Sequence, residues 1–218
     1  MKRPLADLAS VGILGCALLL TGIAVRREFF SAPRPQDDGP RRVASGPALT
    51  RVGRVLGSDS ADATVVVFAD FQCPYCAKAR VVVDSLLREV PPRFNVRYRH
   101  LPLETLHPHA WTAALASECA GDQGRFREYH DVLYTLQDSI GKLSWTDFAA
   151  RAGVPRVREF DLCLVAERHT NAIERDVALA RSLAIRGTPA FVVEGELFEG
   201  VPSSAWLGRR IAKMGKTR

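Results

Sequence analysis

Hydrophobic positions change period along the chain, and these periods predict alternating strands and helices. Residues 64–68, TVVVF, form an apolar and mostly β-branched run of strand length, typical of a strand with both faces covered. Over residues 76–90, apolar positions recur at helical spacing until Pro91 and Pro92 stop the pattern. Residues 95–101 predict a second strand.

The second half of the chain is first helical and then returns to strands. Residues 108–185 contain no strand-like run but a succession of helical patterns separated by glycines. AFVVEGELFEG predicts two strands joined by a turn at Glu194-Gly195, and SSAWLGRRIAKM predicts a closing helix capped by Ser203 or Ser204. The predicted order is strand, helix, strand, helical block, strand, strand, helix, which is an α/β fold.

The first thirty residues form a separate segment. Residues 9–25 are apolar and uncharged, and a helix of 21 residues from Leu5 would span roughly 30 Å. We predict that residues 1–30 are a single-pass anchor in the cell membrane or a cleaved signal segment, with the anchor favoured. Both an anchor and a cleaved signal would place the rest of the chain on the extracytoplasmic side, where disulfides persist. A lipoprotein site at Cys16 is less favoured, because the apolar run continues past it.

Residues 31–50 differ in composition from the segments on both sides. They are rich in proline, glycine and charge and have no hydrophobic period, so they predict a flexible linker. The folded domain is therefore expected over residues 51–218.

Composition limits the classes of function. The chain has 218 residues, of which 47% are hydrophobic, enough for one domain with a sizeable core. Its net charge of +6 comes with basic residues near both ends, but no basic stripe is interleaved with aromatic residues. The charge therefore favours solubility or contact with anionic lipid, and no nucleic-acid partner is predicted.

The sequence Cys73-Pro74-Tyr75-Cys76 stands where the first strand meets the first helix. Thiolates carry out disulfide exchange, and a helix N-terminus favours a thiolate through its free N–H groups and dipole. Pro74 fits the first helical position because it has no N–H group. Cys73 is the predicted attacking thiol, and Cys76, one turn later, is the predicted resolving thiol.

Two other interpretations of the pair, a zinc site and two inert core thiols, are less favoured. A zinc site needs further ligands, but there is no second Cys-x-x-Cys motif, and His100, His107 and His109 do not form a compact set with the pair. No metal site is therefore predicted. Two inert core thiols would leave the proline between them without a purpose.

Four segments together resemble the DsbA-like branch of the thioredoxin superfamily. These segments are FADFQCPYC, RHLPLETLHPHA, ECAGDQGRF and IRGTPAFVVEGELFEG, and they cover most of residues 60–210 in the family's order. The resemblance implies a thioredoxin-like fold with an α-helical domain inserted at about residues 107–185. It implies no cofactor beyond the cysteine pair.

The resemblance also implies roles for individual residues. Cys73 and Cys76 match the redox pair, and the residues between them, Pro74 and Tyr75, tune its potential. Thr188-Pro189 matches a segment whose proline is cis and faces the pair, and whose backbone binds an extended substrate peptide. An ordinary trans proline starting a strand remains the alternative.

One position departs from the family's pattern. Several members have a buried acid six residues before the first cysteine, which assists proton transfer from the resolving thiol, but here that residue is Val67. Asp70 either acts through water or caps the loop. His107 and His109 are interpreted as ordinary residues of a helix start, so the proton acceptor for Cys76 is unassigned.

Cys119 and Cys163 lie on helical patterns whose apolar neighbours turn both thiols towards the interior of the helical block. Such thiols either pair or remain small buried hydrophobic groups. Similar pairs in relatives of this branch favour a structural disulfide between them.

The function expected from the resemblance is a membrane-tethered thiol–disulfide oxidoreductase that introduces or exchanges disulfides in exported proteins. Its partners would be unfolded or reduced exported proteins and a membrane redox partner that recycles the pair. A monomer is expected, because residues 31–50 are too short for a dimerisation domain. The alternative is a redox-inactive peptide-binding or chaperone module with a structural Cys73–Cys76 bridge. A bridge that closes so short a loop restricts the unfolded chain only slightly, so it would add little to the stability of the fold.

Overall fold

The computed structural model describes residues 39–44, 46–89 and 94–214. Among them, six strands form one sheet in the order β1-β6-β5-β3-β4-β2. β3 and β4 run parallel, and the other neighbouring strands are antiparallel. The strands are β1 (Arg41–Arg42), β2 (Arg54–Gly57), β3 (Ala63–Ala69), β4 (Phe94–His100), β5 (Ala190–Val193) and β6 (Glu196–Glu199).

Apart from the first short helix, which the sequence did not predict, the helices of the described residues follow the predicted order. They are α1 (Pro47–Thr50), α2 (Pro74–Glu89), α3 (Ala110–Gly121), α4 (Phe126–Thr135), α5 (Trp145–Arg151), α6 (Val157–Val165), α7 (Thr170–Ser182) and α8 (Ser204–Met214). Helices α3 to α7 lie between β4 and β5 in the chain. The predicted thioredoxin-like α/β fold with a helical block is thereby confirmed.

The central strand β3 is buried on both faces, as its apolar run predicted. Val65 and Val67 belong to the core on the side of α2 and α8, whereas Val66 and Phe68 belong to the core that includes Ala180 of α7. Successive residues of a strand point to opposite faces, so a strand between two helical layers needs apolar residues at every position. The two covered faces hold the C-terminal end of β3, and so the cysteine pair, in a fixed place.

The structure differs from the prediction for residues 31–50 in the second half of that range. β1 pairs with β6, and the Arg41 guanidinium donates to the carbonyl oxygens of Leu183 and Ala184 at 2.8 and 2.6 Å. α1 follows, and Leu49 is buried in the core. An edge strand is held by backbone hydrogen bonds that need no apolar pattern, so the composition of this stretch did not reveal it.

Among the described ranges, no helix is both long enough and apolar enough to cross a membrane. The segment predicted as an anchor or signal, residues 1–30, lies outside those ranges.

Candidate active site

The junction between β3 and α2 positions the cysteine pair. After β3 ends at Ala69, the Cys73 N–H donates to the Asp70 carbonyl oxygen at 3.2 Å, and the Cys76 N–H donates to the Cys73 carbonyl oxygen at 3.0 Å. The Gln137 side-chain amide donates to the carbonyl oxygens of Phe71 and Cys73 at 2.7 and 3.0 Å. The turn before the helix is therefore held both by its own backbone and by the helical block.

The two thiols have opposite properties. Residue exposure is 4% for Cys73 and 3% for Cys76, and neither is in a disulfide. A hydrogen bond from the Cys76 thiol, together with the Thr188 side chain and the backbone N–H groups of Tyr75 and Cys76, lowers the pKa of Cys73 to about 5, although burial opposes this. Burial, reinforced by Cys73, raises the pKa of Cys76. At neutral pH the pair is a thiolate at Cys73 above a protonated thiol at Cys76.

Thr188 and Pro189 lie beside the pair, as the resemblance implied. When Cys73 is protonated, its Sγ donates to the Thr188 carbonyl oxygen at 3.3 Å. The Thr188-Pro189 peptide bond is cis, and Pro189 directly precedes β5, the neighbour of β3. Two segments that are more than a hundred residues apart in the chain thus meet at the Cys73 sulfur.

Pro74 and Tyr75 face solvent at the start of α2. Pro74 is the first residue of the helix, and Tyr75 is 58% exposed. The Lys78 ammonium lies 5.2 Å from the centre of the Tyr75 ring. Tyr75 therefore presents an exposed aromatic ring two residues after Cys73.

Asp70 joins the cysteine turn to the loop that follows β4. Its carboxylate is fully buried and accepts hydrogen bonds from the backbone N–H groups of Gln72 and Leu103 and from His107 Nδ1, at 2.8, 2.9 and 2.8 Å. Of the two roles considered for Asp70 from the sequence, these contacts match the loop cap. His107, interpreted above as an ordinary residue of a helix start, is a partner of this carboxylate.

A small cavity lies beneath Cys76 and is lined in part by groups that the sequence did not point to. Its volume of about 20 Å³ has room for about one water molecule, and most of its accessible wall is apolar. Val67, at the position of the family's buried acid, contributes to the wall. The polar and titratable residues of the wall are Arg80, Asp84, Tyr98, His130 and Tyr134. They come from α2, β4 and α4, so no local spacing in the sequence could have grouped them.

Cys119 and Cys163 are joined by a disulfide that connects α3 to α6 across 44 residues of chain. Both residues are buried. Next to Cys119, the Glu118 carboxylate accepts hydrogen bonds from Arg54 of β2 at 2.8 Å and pairs with His100 Nε2 at 2.9 Å. The helical block is therefore tied to itself by a covalent bond and to the sheet by a buried ionic cluster.

Comparison with known proteins agrees with the fold. A family model described as Thioredoxin matches residues 50–213. The chain is similar to a thioredoxin-like oxidoreductase from Silicibacter pomeroyi, with 28% identity and a TM-score of 0.69 over 80% of this chain and 100% of that one. BdbD from Bacillus subtilis, in its oxidised form, has the same fold, with 20% identity and a TM-score of 0.69 over 82% of this chain and 100% of that one.

The curated relatives are longer proteins. One from Salinispora arenicola, named Na(+)/H(+) antiporter NhaA 1, is 40% identical over 213 residues, which are 92% of this chain and 32% of that protein. The chain thus spans about a third of the length of the curated relatives it matches. Since the thioredoxin family model covers most of the chain and the helical block interrupts the fold as predicted, the chain belongs to the thioredoxin family.

Proposed function

We propose that the chain is an extracytoplasmic thiol–disulfide oxidoreductase that introduces or exchanges disulfides in exported proteins, and that residues 1–30 tether it to the membrane. The observation that carries the proposal is the unequal pair at the start of α2. Cys73 has a pKa of about 5, whereas burial raises the pKa of Cys76 beneath it. A purely structural bridge has no need of such a difference.

Oxidation of a substrate proceeds by two exchanges. A substrate thiolate attacks the Cys73 sulfur, the Cys73–Cys76 bond breaks, and Cys76 leaves as a thiolate that takes up a proton. A second substrate thiolate then attacks the substrate sulfur of the mixed disulfide, and Cys73 leaves as a thiolate. The substrate gains one disulfide, and the pair is reduced by two electrons.

The low pKa of Cys73 favours this direction. A thiol of low pKa is a good leaving group, and a stabilised thiolate favours the reduced form of the pair, which makes its disulfide a stronger oxidant. The backbone beside Thr188 would hold an extended peptide next to Cys73, because main-chain hydrogen bonds bind peptides with little regard for their sequence. The exposed ring of Tyr75 would add apolar contact.

The same chemistry indicates the compartment, the substrates and the redox partner of the chain. The disulfide between Cys119 and Cys163 suits an oxidising compartment, which supports an extracytoplasmic site of action. Unfolded or reduced exported proteins are the proposed substrates of the monomeric chain. A membrane redox partner would reoxidise the pair after each turnover.

The test is reoxidation of reduced, denatured ribonuclease by the oxidised protein, followed as regained ribonuclease activity. We expect catalysis by the native chain and none by Cys73→Ser, because the attacked sulfur is gone. Cys76→Ser cannot form the Cys73–Cys76 disulfide and should not oxidise reduced ribonuclease. Mixed instead with ribonuclease that carries scrambled disulfides, its Cys73 thiolate should attack a substrate disulfide, release a substrate thiolate and accumulate as a mixed disulfide, visible on a non-reducing gel, because the resolving thiol is missing. Full turnover by Cys76→Ser would contradict the assigned roles.

The redox-inactive peptide-binding module is the alternative, and the same experiment distinguishes it. Such a module would bind reduced ribonuclease and leave its disulfides unformed, and Cys73→Ser would bind as the native chain does. Absence of catalysis by the native chain with binding retained would favour that alternative.

A further inference from the structure

The resolving thiol needs a proton acceptor, and the cavity beneath it indicates where to look. Cys76 lies in the interior, where its thiolate is unfavourable, so its attack on a mixed disulfide requires removal of a proton at the right moment. The family's buried acid is absent at Val67. The acceptor must therefore come from another element that lines the same space.

His130 of α4 meets the geometric requirements. It is 2% exposed and lines the cavity together with Cys76 and Val67. Its ring packs among the aromatic residues beneath the pair, with centroids 5.0 Å from Tyr134 and 5.3 Å from Tyr98. The His130 Nδ1 atom pairs with Asp131 Oδ1 at 2.9 Å, so this bond does not use Nε2.

The other polar groups near the cavity are poorer bases. The Asp84 carboxylate is already paired with Arg80 at 3.0 Å and with Arg127 at 2.8 Å. The Tyr98 and Tyr134 hydroxyls bond to each other at 2.9 Å, and the Tyr134 hydroxyl also contacts the Asp70 carbonyl oxygen at 3.3 Å. Burial raises the pKa of both phenols. A neutral phenol is a weak acceptor of a thiol proton.

Asp70 is excluded by its existing contacts. Both of its carboxylate oxygens accept hydrogen bonds, from Gln72 on one side and from Leu103 and His107 on the other. It does not line the cavity.

Asp131 completes the arrangement that a histidine base needs. Its carboxylate orients the imidazole by accepting from Nδ1, so the neutral ring carries its lone pair on Nε2. The pKa of Asp131 is lowered to about 2 by His130 and Arg127, despite burial, so the carboxylate is charged and can stabilise a protonated ring. Burial lowers the pKa of His130, which keeps the ring neutral and able to accept a proton at neutral pH.

We propose that His130 is the proton acceptor for Cys76, through one water molecule in the cavity, with Asp131 as its positioning residue. The inference rests on the proposed function. The Cys76 proton passes to the water, whose own proton passes to His130 Nε2. The Cys76 thiolate then attacks the Cys73 sulfur of a mixed disulfide, the Cys73–Cys76 bond forms, and the partner sulfur leaves as a thiolate.

The two thiols can be followed separately with the aromatic disulfide dithionitrobenzoate. In a Cys16→Ser background with the Cys73–Cys76 pair reduced, attack by Cys73 releases one coloured thiolate at a rate that depends on reagent concentration. Attack by Cys76 on the mixed disulfide then releases a second coloured thiolate, at a rate that is independent of reagent concentration. Stopped-flow absorbance resolves the two phases.

We expect His130→Gln to leave the first phase unchanged and to slow the second about a hundredfold at neutral pH, since general base catalysis contributes about 10²–10⁴-fold. In the native protein, the second phase should fall as the pH drops through the His130 pKa, below the ordinary imidazole value. That inflection should be missing in His130→Gln. The charged and titratable groups that face His130 are Cys76, Arg80, Asp84, Tyr98, Arg127, Asp131 and Tyr134.

His100→Gln is the matched control. His100 is also 2% exposed and also contacts the Phe71 and Tyr98 rings, but it does not line the cavity. The variant should keep the inflection of the second phase. If His130→Gln does not fold, the same two phases are measured in Asp131→Asn. Loss of the Asp131 carboxylate should make His130 less basic, which should move the inflection to lower pH and slow the second phase.

The outcomes separate the two proposals. An unchanged second phase in His130→Gln, an equal slowing of both phases, or an unmoved inflection in Asp131→Asn would overturn the role of His130. A native chain that lacks the fast first phase would instead overturn the proposed function.

Discussion

At the scale of single residues, the reactivity of the site depends on one hydrogen bond between sulfurs. The largest contribution that lowers the pKa of Cys73 is the hydrogen bond from the Cys76 thiol, ahead of Thr188 and the backbone N–H groups. The helix start and the partner thiol therefore act together, and the resolving cysteine also activates the attacking one. Changes at Cys76 should alter Cys73 even before any substrate is present.

We predict that Cys76→Ala raises the pKa of Cys73 well above about 5, whereas Cys76→Ser raises it less, because a hydroxyl can still donate to the thiolate. The measurement is the alkylation rate by iodoacetamide as a function of pH, in a Cys16→Ser background. The native pair should show an inflection near pH 5. An inflection near the ordinary thiol value of about 8.5 in the native protein would contradict the activation of Cys73.

At the scale of elements, a buried ionic cluster joins the helical block to the sheet. Glu118 of α3 bonds to Arg54 of β2 and to His100 of β4, at 2.8 and 2.9 Å. Although burial opposes ionisation, His100 and Arg54 together lower the pKa of Glu118 to about 2 from 4.5. A carboxyl whose pKa is lower in the folded state stabilises the fold above its unfolded pKa and loses this contribution as the pH falls towards the folded value.

The native protein should therefore lose unfolding free energy as the pH falls from about 4.5 to about 2, and Glu118→Gln should lose less over the same range. The measurement is the urea midpoint at several pH values in this window. Glu159→Gln is the control, because Glu159 is an exposed acid of α6 that pairs only with the exposed Arg156 within the described structure. Equal pH dependence in the native protein and in Glu118→Gln would show that Glu118 is not responsible.

At the scale of the whole molecule, the disulfide between Cys119 and Cys163 constrains the helical block independently of the reactive pair. It closes a stretch of 44 residues, between helices that have no contact with the Cys73 sulfur in the described hydrogen bonds. A disulfide that closes so long a loop reduces the conformational entropy of the unfolded chain and so stabilises the fold. A disulfide between Cys73 and Cys76 would close a single turn and would stabilise the fold much less. The two cysteine pairs thus have separate tasks in one domain, one for stability and one for chemistry.

We predict that the double variant Cys119→Ala, Cys163→Ala lowers the unfolding free energy by about 4 kcal/mol in the chain-entropy model and keeps the thiol exchange of Cys73. The urea midpoint and the first dithionitrobenzoate phase measure the two effects. Peptide mapping of the unreduced native protein should find these two cysteines linked. An unchanged urea midpoint in the double variant would remove the stabilising role.

Much of the fold could be predicted because its signals are local. The apolar run of β3, the helical spacing of α2 and the turn at Glu194-Gly195 each follow from a few neighbouring residues, and the structure has them where the pattern placed them. The short strands β1 and β2 were missed. They lie at the two edges of the sheet, where backbone hydrogen bonds suffice and few side chains are buried.

The sequence by itself determined the order of elements and the placing of Cys73 and Cys76 at a helix start, because both depend on residues close together in the chain. Only the tertiary structure decided what surrounds the pair. Thr188 is brought to Cys73 by the pairing of β5 with β3, and His130 is brought beneath Cys76 by the packing of α4. Basicity and burial depend on such distant neighbours, so the proton acceptor could not be predicted from local pattern.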